Sequence, residues 1–90
     1  MSVKIRLHPG LRGCTDGRQE VEAVGRTVGE CINDLENRFP GIKKQLCDER
    51  GKLFKKYDIH VNGRSSYPEE LAKPVKDGDE LTVITFIAEG

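Results

Sequence analysis

Apolar and polar residues alternate at the start of the chain, with Val3, Ile5 and Leu7 set against Lys4, Arg6 and His8. This is the period of a strand with one buried face. Pro9-Gly10 ends it, and a polar loop through Gly13 and Asp16-Gly17 follows. From Gln19 to Ala23 the alternation returns with Val21 and Ala23 inward, so the opening segment reads as a wide-looped hairpin. The period then changes. Val28, Cys31, Ile32, Leu35 and Phe39 recur at helical spacing and form one apolar stripe, with Glu30, Asp34, Glu36, Asn37 and Arg38 around the rest. Thr27-Val28-Gly29-Glu30 is a capping box: the Thr27 hydroxyl is placed to accept the Glu30 N–H, and the Glu30 carboxylate to accept the Thr27 N–H. Pro40-Gly41 stops the helix.

Ile42 to Leu46 adds a helical turn, and Asp48-Glu49-Arg50-Gly51-Lys52 is a charged loop. Tyr57 to Val61 is a third strand with Ile59 and Val61 inward and His60 outward, turned by Asn62-Gly63. Pro68, Pro74 and Asp77-Gly78 punctuate an irregular connection carrying Tyr67, Leu71 and Val75, and the last strand runs from Leu81 to Ile87. Strand, strand, helix, strand, strand, with a single amphipathic helix to cover one face of one mixed sheet, predicts an α+β, β-grasp arrangement. Residues 1–90 are expected to form one such domain, with 88–90 as a flexible tail.

Size limits the chemistry. At 90 residues folding buries only about 60 to 65% of the unfolded surface, which leaves little apolar material for a deep catalytic pocket. Fifteen basic residues balance fifteen acidic ones, so no global field steers the chain onto nucleic acid or an anionic membrane. The start, Met1-Ser2-Val3-Lys4-Ile5-Arg6, has no apolar core with a cleavage site, and the expected setting is cytoplasmic. Cys14, Cys31 and Cys47 are three in number and without close pairing, which predicts reduced thiols, Cys31 being a packing residue inside the helical stripe. His8 and His60 are far apart and no metal-binding spacing exists, so no metal site is expected.

No paired carboxylates, serine with histidine, or glycine-rich phosphate loop stands where a strand meets a helix, so no internal catalytic constellation is found. His60 is a single imidazole on the outer side of a strand, a position usually filled by a plain surface residue. Arg50, Lys52, Lys55 and Lys56 interleave with Phe54 and Tyr57, a composition able to grip phosphates and stack a base. Asp48, Glu49 and Asp58 beside them favour a solvated loop or an acidic protein partner over nucleic acid.

The last strand carries apolar residues on both parities: Leu81, Val83 and Ile87 on one, Ile84 and Phe86 on the other. One helix covers only one side. With Leu81 and Val83 toward it, Ile84 and Phe86 stand on the open face beside Thr82, His60, Lys4 and Arg6, an apolar centre with a polar, basic rim suited to docking. The alternative is a loop folded over that face.

Taken together, Thr27-Val28-Gly29-Glu30, Phe39-Pro40-Gly41-Ile42, Ile59-His60-Val61-Asn62-Gly63, Asp77-Gly78-Asp79-Glu80-Leu81 and the ending Ala88-Glu89-Gly90 resemble the ubiquitin-like sulfur carriers. These are the small subunit of molybdopterin synthase and the carriers of thiamine and cysteine synthesis. The length between helix and third strand, including Gly51-Lys52-Leu53, looks most like the cysteine-synthesis or longer molybdopterin-type members. The resemblance implies a protein that is not itself an enzyme and binds no cofactor. Its Gly90 carboxylate would be adenylated with ATP by a ubiquitin-activating-enzyme-like partner, and the resulting thiocarboxylate would serve a sulfur-accepting enzyme. Ala88 and Glu89 form the tail, and Ile84, Phe86 and His60 the docking contacts. Glu89 departs from the family's two terminal glycines and puts bulk and negative charge where the tail approaches ATP. A subunit that completes a molybdopterin synthase site, and a ubiquitin-like modifier or interaction module, are the alternatives.

Overall fold

The computed structural model describes residues 2–85. In chain order these form β1 (Val3–Arg6), a 3-10 helix (Pro9–Thr15), β2 (Glu20–Ala23), α1 (Val28–Arg38), α2 (Ile42–Leu46), β3 (Tyr57–Val61), β4 (Arg64–Ser65), a second 3-10 helix (Glu70–Ala72) and β5 (Glu80–Thr85). The strands make one five-stranded sheet in the order β2-β1-β5-β3-β4. β1 and β5 run parallel at its centre, and the other neighbours are antiparallel. The mixed sheet and one main helix of the β-grasp are as the hydrophobic pattern predicts.

The register shows why the alternation matters. Ile5 pairs with Val21 and Leu81, and Ile59 with Val83, so all five side chains fall on one face. They are buried there against the α1 stripe of Val28, Cys31, Ile32 and Leu35. Phe39 packs at the edge of this core as the C-cap residue, its N–H donating to the Leu35 carbonyl at 2.7 Å. Gly25 is required by the join between β2 and α1, since a Cβ there would lie 2.7 Å from the Cys31 nitrogen.

The helix start differs in one detail from the reciprocal capping box. Thr27 Oγ1 accepts the Glu30 N–H at 3.1 Å as expected, but Glu30 Oε1 accepts the N–H of Arg26 at 2.9 Å, one residue earlier. The Glu36 carboxylate acts in the same way on the second helix, accepting the N–H groups of Gly41 and Lys43. These bonds hold its carboxyl below the usual glutamate range, Lys43 contributing first.

The segment read as a polar loop after β1 contains a 3-10 helix that turns Leu11 inward and buries Thr15 completely. The Thr15 hydroxyl bonds to the Arg18 carbonyl at 2.9 Å, so burial leaves that polar group satisfied. β4 and the second 3-10 helix are the other elements absent from the pattern, because two exposed residues, or three in a single turn, carry no period.

On the outer edge, helix side chains reach β2. Arg38 donates to the Glu22 carbonyl, and Asp34 Oδ2 accepts the Val24 N–H at 3.0 Å while pairing with Arg38 at 3.1 Å.

Candidate functional site

The parity of β5 that does not face the helix carries Thr82 and Ile84, and the register sets Thr82 against His60 and Ile84 against Asp58. The structure therefore brings Ile84 and His60 together on the open face, as the strand pattern predicts. Phe86, Ala88, Glu89 and Gly90 lie outside the described residues.

Between Ile84 and His60 stands a residue the sequence reading left among the charges of the preceding loop. Asp58 is only 6% exposed. Its Oδ1 accepts the Ile59 N–H at 2.8 Å, and its Oδ2 lies 3.1 Å from His60 Nε2. Two residues apart on one strand, Asp58 and His60 share a face, and that i, i+2 spacing is the signal that finds them in the sequence. The pair fixes the imidazole ring and gives it a carboxylate partner beside Ile84.

The rim is less basic than the composition implies. Arg6 is shared between Glu20 at 3.1 Å and Glu80 at 3.4 Å, so its charge is balanced within the sheet. Among the described residues the apolar centre of this face is thus a half-buried Ile84, with Arg6 paired and Lys4 exposed without an ion pair, and Phe86 belongs to its parity by sequence alone.

The start of β5 is held by a polar knot. Asp79, 6% exposed, accepts the Asn62 amide at 3.0 Å and the Lys76 N–H at 2.8 Å. Its carboxyl is held below the ordinary aspartate value, first by the Asn62 side chain, with the Lys76 N–H and ammonium adding to this against the cost of burial. This anchors the two turns between which β5 emerges toward the C-terminus.

The two buried cysteines do not add a nucleophile. The Cys31 thiol is pushed up to about 11, first by burial and then by the Asp34 and Glu30 charges, and burial likewise raises Cys47. Such thiols are protonated at neutral pH, and Cys31 packs in the core as its place in the stripe predicts. Among the described residues no group of three or more His, Cys, Asp and Glu side chains is placed to hold a metal. No helix among them is long and apolar enough to cross a membrane.

The charged loop before β3 is built around Asp48, whose Oδ1 accepts the N–H groups of Arg50 and Lys52 at 2.8 and 3.0 Å. The Lys56 ammonium lies over the rings of Phe54 and Tyr57, 5.9 and 5.4 Å from their centroids.

Comparison with known proteins places this arrangement. The model of the ThiS family matches residues 6–90. The curated sulfur carrier protein CysO of Mycobacterium tuberculosis is 36% identical over 93 residues, covering 100% of both chains. Among solved structures, the BexX/CysO complex of Amycolatopsis orientalis contains a chain 39% identical with a TM-score of 0.91, covering 98% of this chain and 99% of that one. The crystal structure of Mycobacterium tuberculosis CysO is 34% identical with a TM-score of 0.88, covering 94% and 99%.

Proposed function

The chain belongs to the ThiS family, and we propose on that premise that Gly90 is its sulfur-bearing residue, adenylated with ATP by a separate activating enzyme and converted to a thiocarboxylate. The sulfur-carrier role follows the family and its CysO relatives, which the chain matches from end to end. That full-length match, running through Gly90, is the observation that carries the reading.

A carboxylate is a poor acyl donor, because its charge repels nucleophiles and oxide is a hopeless leaving group. Adenylation joins the Gly90 carboxylate to the α-phosphate and releases pyrophosphate. A sulfur nucleophile then attacks the acyl carbon, and AMP leaves with the bonding pair. The activating partner supplies ATP and the catalytic groups. This chain supplies a carbonyl carbon without a side chain beside it and a folded body that docks. Its role is that of substrate or subunit, in keeping with the raised Cys31 and Cys47 thiols. The sulfur-accepting enzyme is proposed to belong to cysteine synthesis, the branch of the CysO relatives.

Docking is assigned to the open face. Ile84 is the apolar contact, Phe86 its companion on the same parity, and His60, held by Asp58, the polar one. That the solved Amycolatopsis orientalis relative is a BexX/CysO complex supports a body that engages protein partners.

Intact mass spectrometry after incubation with the activating enzyme, ATP and sulfide tests the reading. The expected product is heavier by the exchange of one oxygen for sulfur, and deletion of Gly90 removes the gain. Absence of both adenylate and thiocarboxylate with every adenylating enzyme of the source organism would overturn it and leave the interaction-module reading.

A further inference from the structure

The loop between α2 and β3 carries charge that the fold does not use. Three of the carboxylates nearby are occupied: Asp48 by the Arg50 and Lys52 backbone, Asp58 by Ile59 and His60, and Glu69 by Lys73 at 3.9 Å, which leaves Glu49 and Glu70 as the acids beside the cations. The cations are free. Among the described residues Arg50, Lys52 and Lys55 are exposed, with no ion pair or side-chain hydrogen bond. Two clefts of about 420 and 390 Å³ meet here along a wall shared by Lys55, Tyr67 and Glu70, and Lys52 lines the smaller. Tyr67 is 73% exposed, against the tendency of large aromatics to be covered.

Position gives this surface a use. Tyr57 is the register partner of Thr85, so the loop flanks the end of β5, and the five residues from Phe86 to Gly90 reach about 17 Å at most. A protein that takes Gly90 into a site comes against Lys55 and Tyr67. We propose that the surface formed by Lys52, Lys55 and Tyr67 is a second docking site, bordering the open sheet face at Asp58, for a carboxylate-bearing surface of the proteins that take up the tail. The identity of those proteins rests on the carrier reading, whereas the acid-binding chemistry of the surface does not.

A protein partner fits better than nucleic acid. Single strands need successive open aromatic faces for stacking, but Tyr67 offers one such face here, while Phe54 and Tyr57 are partly buried and already covered by the Lys56 ammonium. Glu49 and Glu70 stand among the lysines, which suits spaced side-chain carboxylates and interrupts a phosphate track. Paired with acidic residues, such lysines speed encounter and weaken with salt.

The test is an amide-shift titration of the isotope-labelled full chain with an acidic decapeptide, alternating Asp and Glu around one central Phe, at low salt. Shifts are expected only in residues 50–57 and 67–70. Lys52→Glu/Lys55→Glu should weaken binding by about fivefold or more with an unchanged melting temperature. Arg18→Glu, on the loop leading into β2 at the far edge of the sheet, should bind as the wild type does. Shifts that are absent or spread evenly over the surface, or a double variant that binds as the wild type does, would overturn the proposal. Decathymidylate binding at the same residues more tightly than the peptide would overturn it in favour of nucleic acid.

A second measurement uses the enzyme that adenylates the wild-type chain. The double variant should raise KM about tenfold at low salt with kcat held within about twofold, and about 0.5 M salt should close the gap. An unchanged KM would overturn the proposal. If the wild type is never adenylated, the carrier reading fails, while the peptide titration still reads the surface.

Discussion

Asn62 and Asp79, 17 residues apart, lock two turns together. The Asn62 amide donates to Asp79 Oδ1 at 3.0 Å, while Asn62 Oδ1 accepts the Glu80 N–H at 2.9 Å. Asn62 can do this because it adopts φ 52, a left-handed conformation that asparagine tolerates better than most residues. This explains why the Asn62-Gly63 and Asp77-Gly78-Asp79 motifs occur together, since each completes the other.

The Asp79 carboxyl lies below its ordinary value of 3.8, so its contribution to stability is complete above that value. It shrinks as pH falls below 3.8 and is gone once pH passes the depressed value. Asp79→Asn should therefore melt below the wild type at neutral pH, and the two curves should converge in acid. Thermal midpoints measured across the acid range check this, and a gap that persists at the lowest pH would contradict it.

The core predicts two losses of different origin. Leu35 is fully buried, and Leu35→Ala should cost about 2 to 5 kcal/mol in urea denaturation by leaving a cavity. Gly25→Ala forces a methyl group 2.7 Å from the Cys31 nitrogen and should cost about 1 to 3 kcal/mol through overpacking. A Leu35→Ala loss below about 0.5 kcal/mol, the scale of surface changes, would refute the core assignment.

On the open face, Ile84→Asp should leave the fold largely intact and weaken association with the activating enzyme by about tenfold or more, since it puts a charge into a contact desolvated on binding. Melting and binding must be measured on the same sample. Unfolding of the variant would show that Ile84 is core. Phe86→Asp is the companion test on the same parity.

At the tail, Glu89→Gly separates two roles for the charge that precedes Gly90. If Glu89 only obstructs, the variant should form adenylate faster with a generic family activating enzyme, because bulk and negative charge near phosphate are removed. If a basic pocket reads Glu89, the cognate enzyme should slow. Initial rates of pyrophosphate release with both enzymes decide between them.

The strands and the main helix were legible because one face of each is buried, and burial imprints periods of two and 3.6 on the sequence. Ile84 and His60 could be placed together for the same reason, as outward residues of strands whose inward partners were clear. The 3-10 helix was not legible, since Leu11 is a lone apolar residue in a polar stretch and Thr15 is buried through its bond to Arg18. β4 was too short to carry a period. Asp58 was missed because a buried carboxylate runs against composition, and its bonds to the Ile59 N–H and to His60 account for it. The neutral balance of the Arg6 rim depends on which acids the register brings alongside, a relation that appears only when strands far apart in sequence pair.

The Lys4 N–H bonds to Asp79 on the β5 side, which makes Lys4 and Glu22 the pair without mutual backbone bonds and turns the Glu22 carbonyl and Val24 N–H away from β1. Arg38 and Asp34 occupy those two groups. Strand addition there would first have to break side-chain bonds to α1, and at the opposite border β4 offers only two residues as a template. Aggregation by edge pairing is thereby discouraged at both borders. Even when the protein is crowded, the sheet offers its own copies little template for growing fibres.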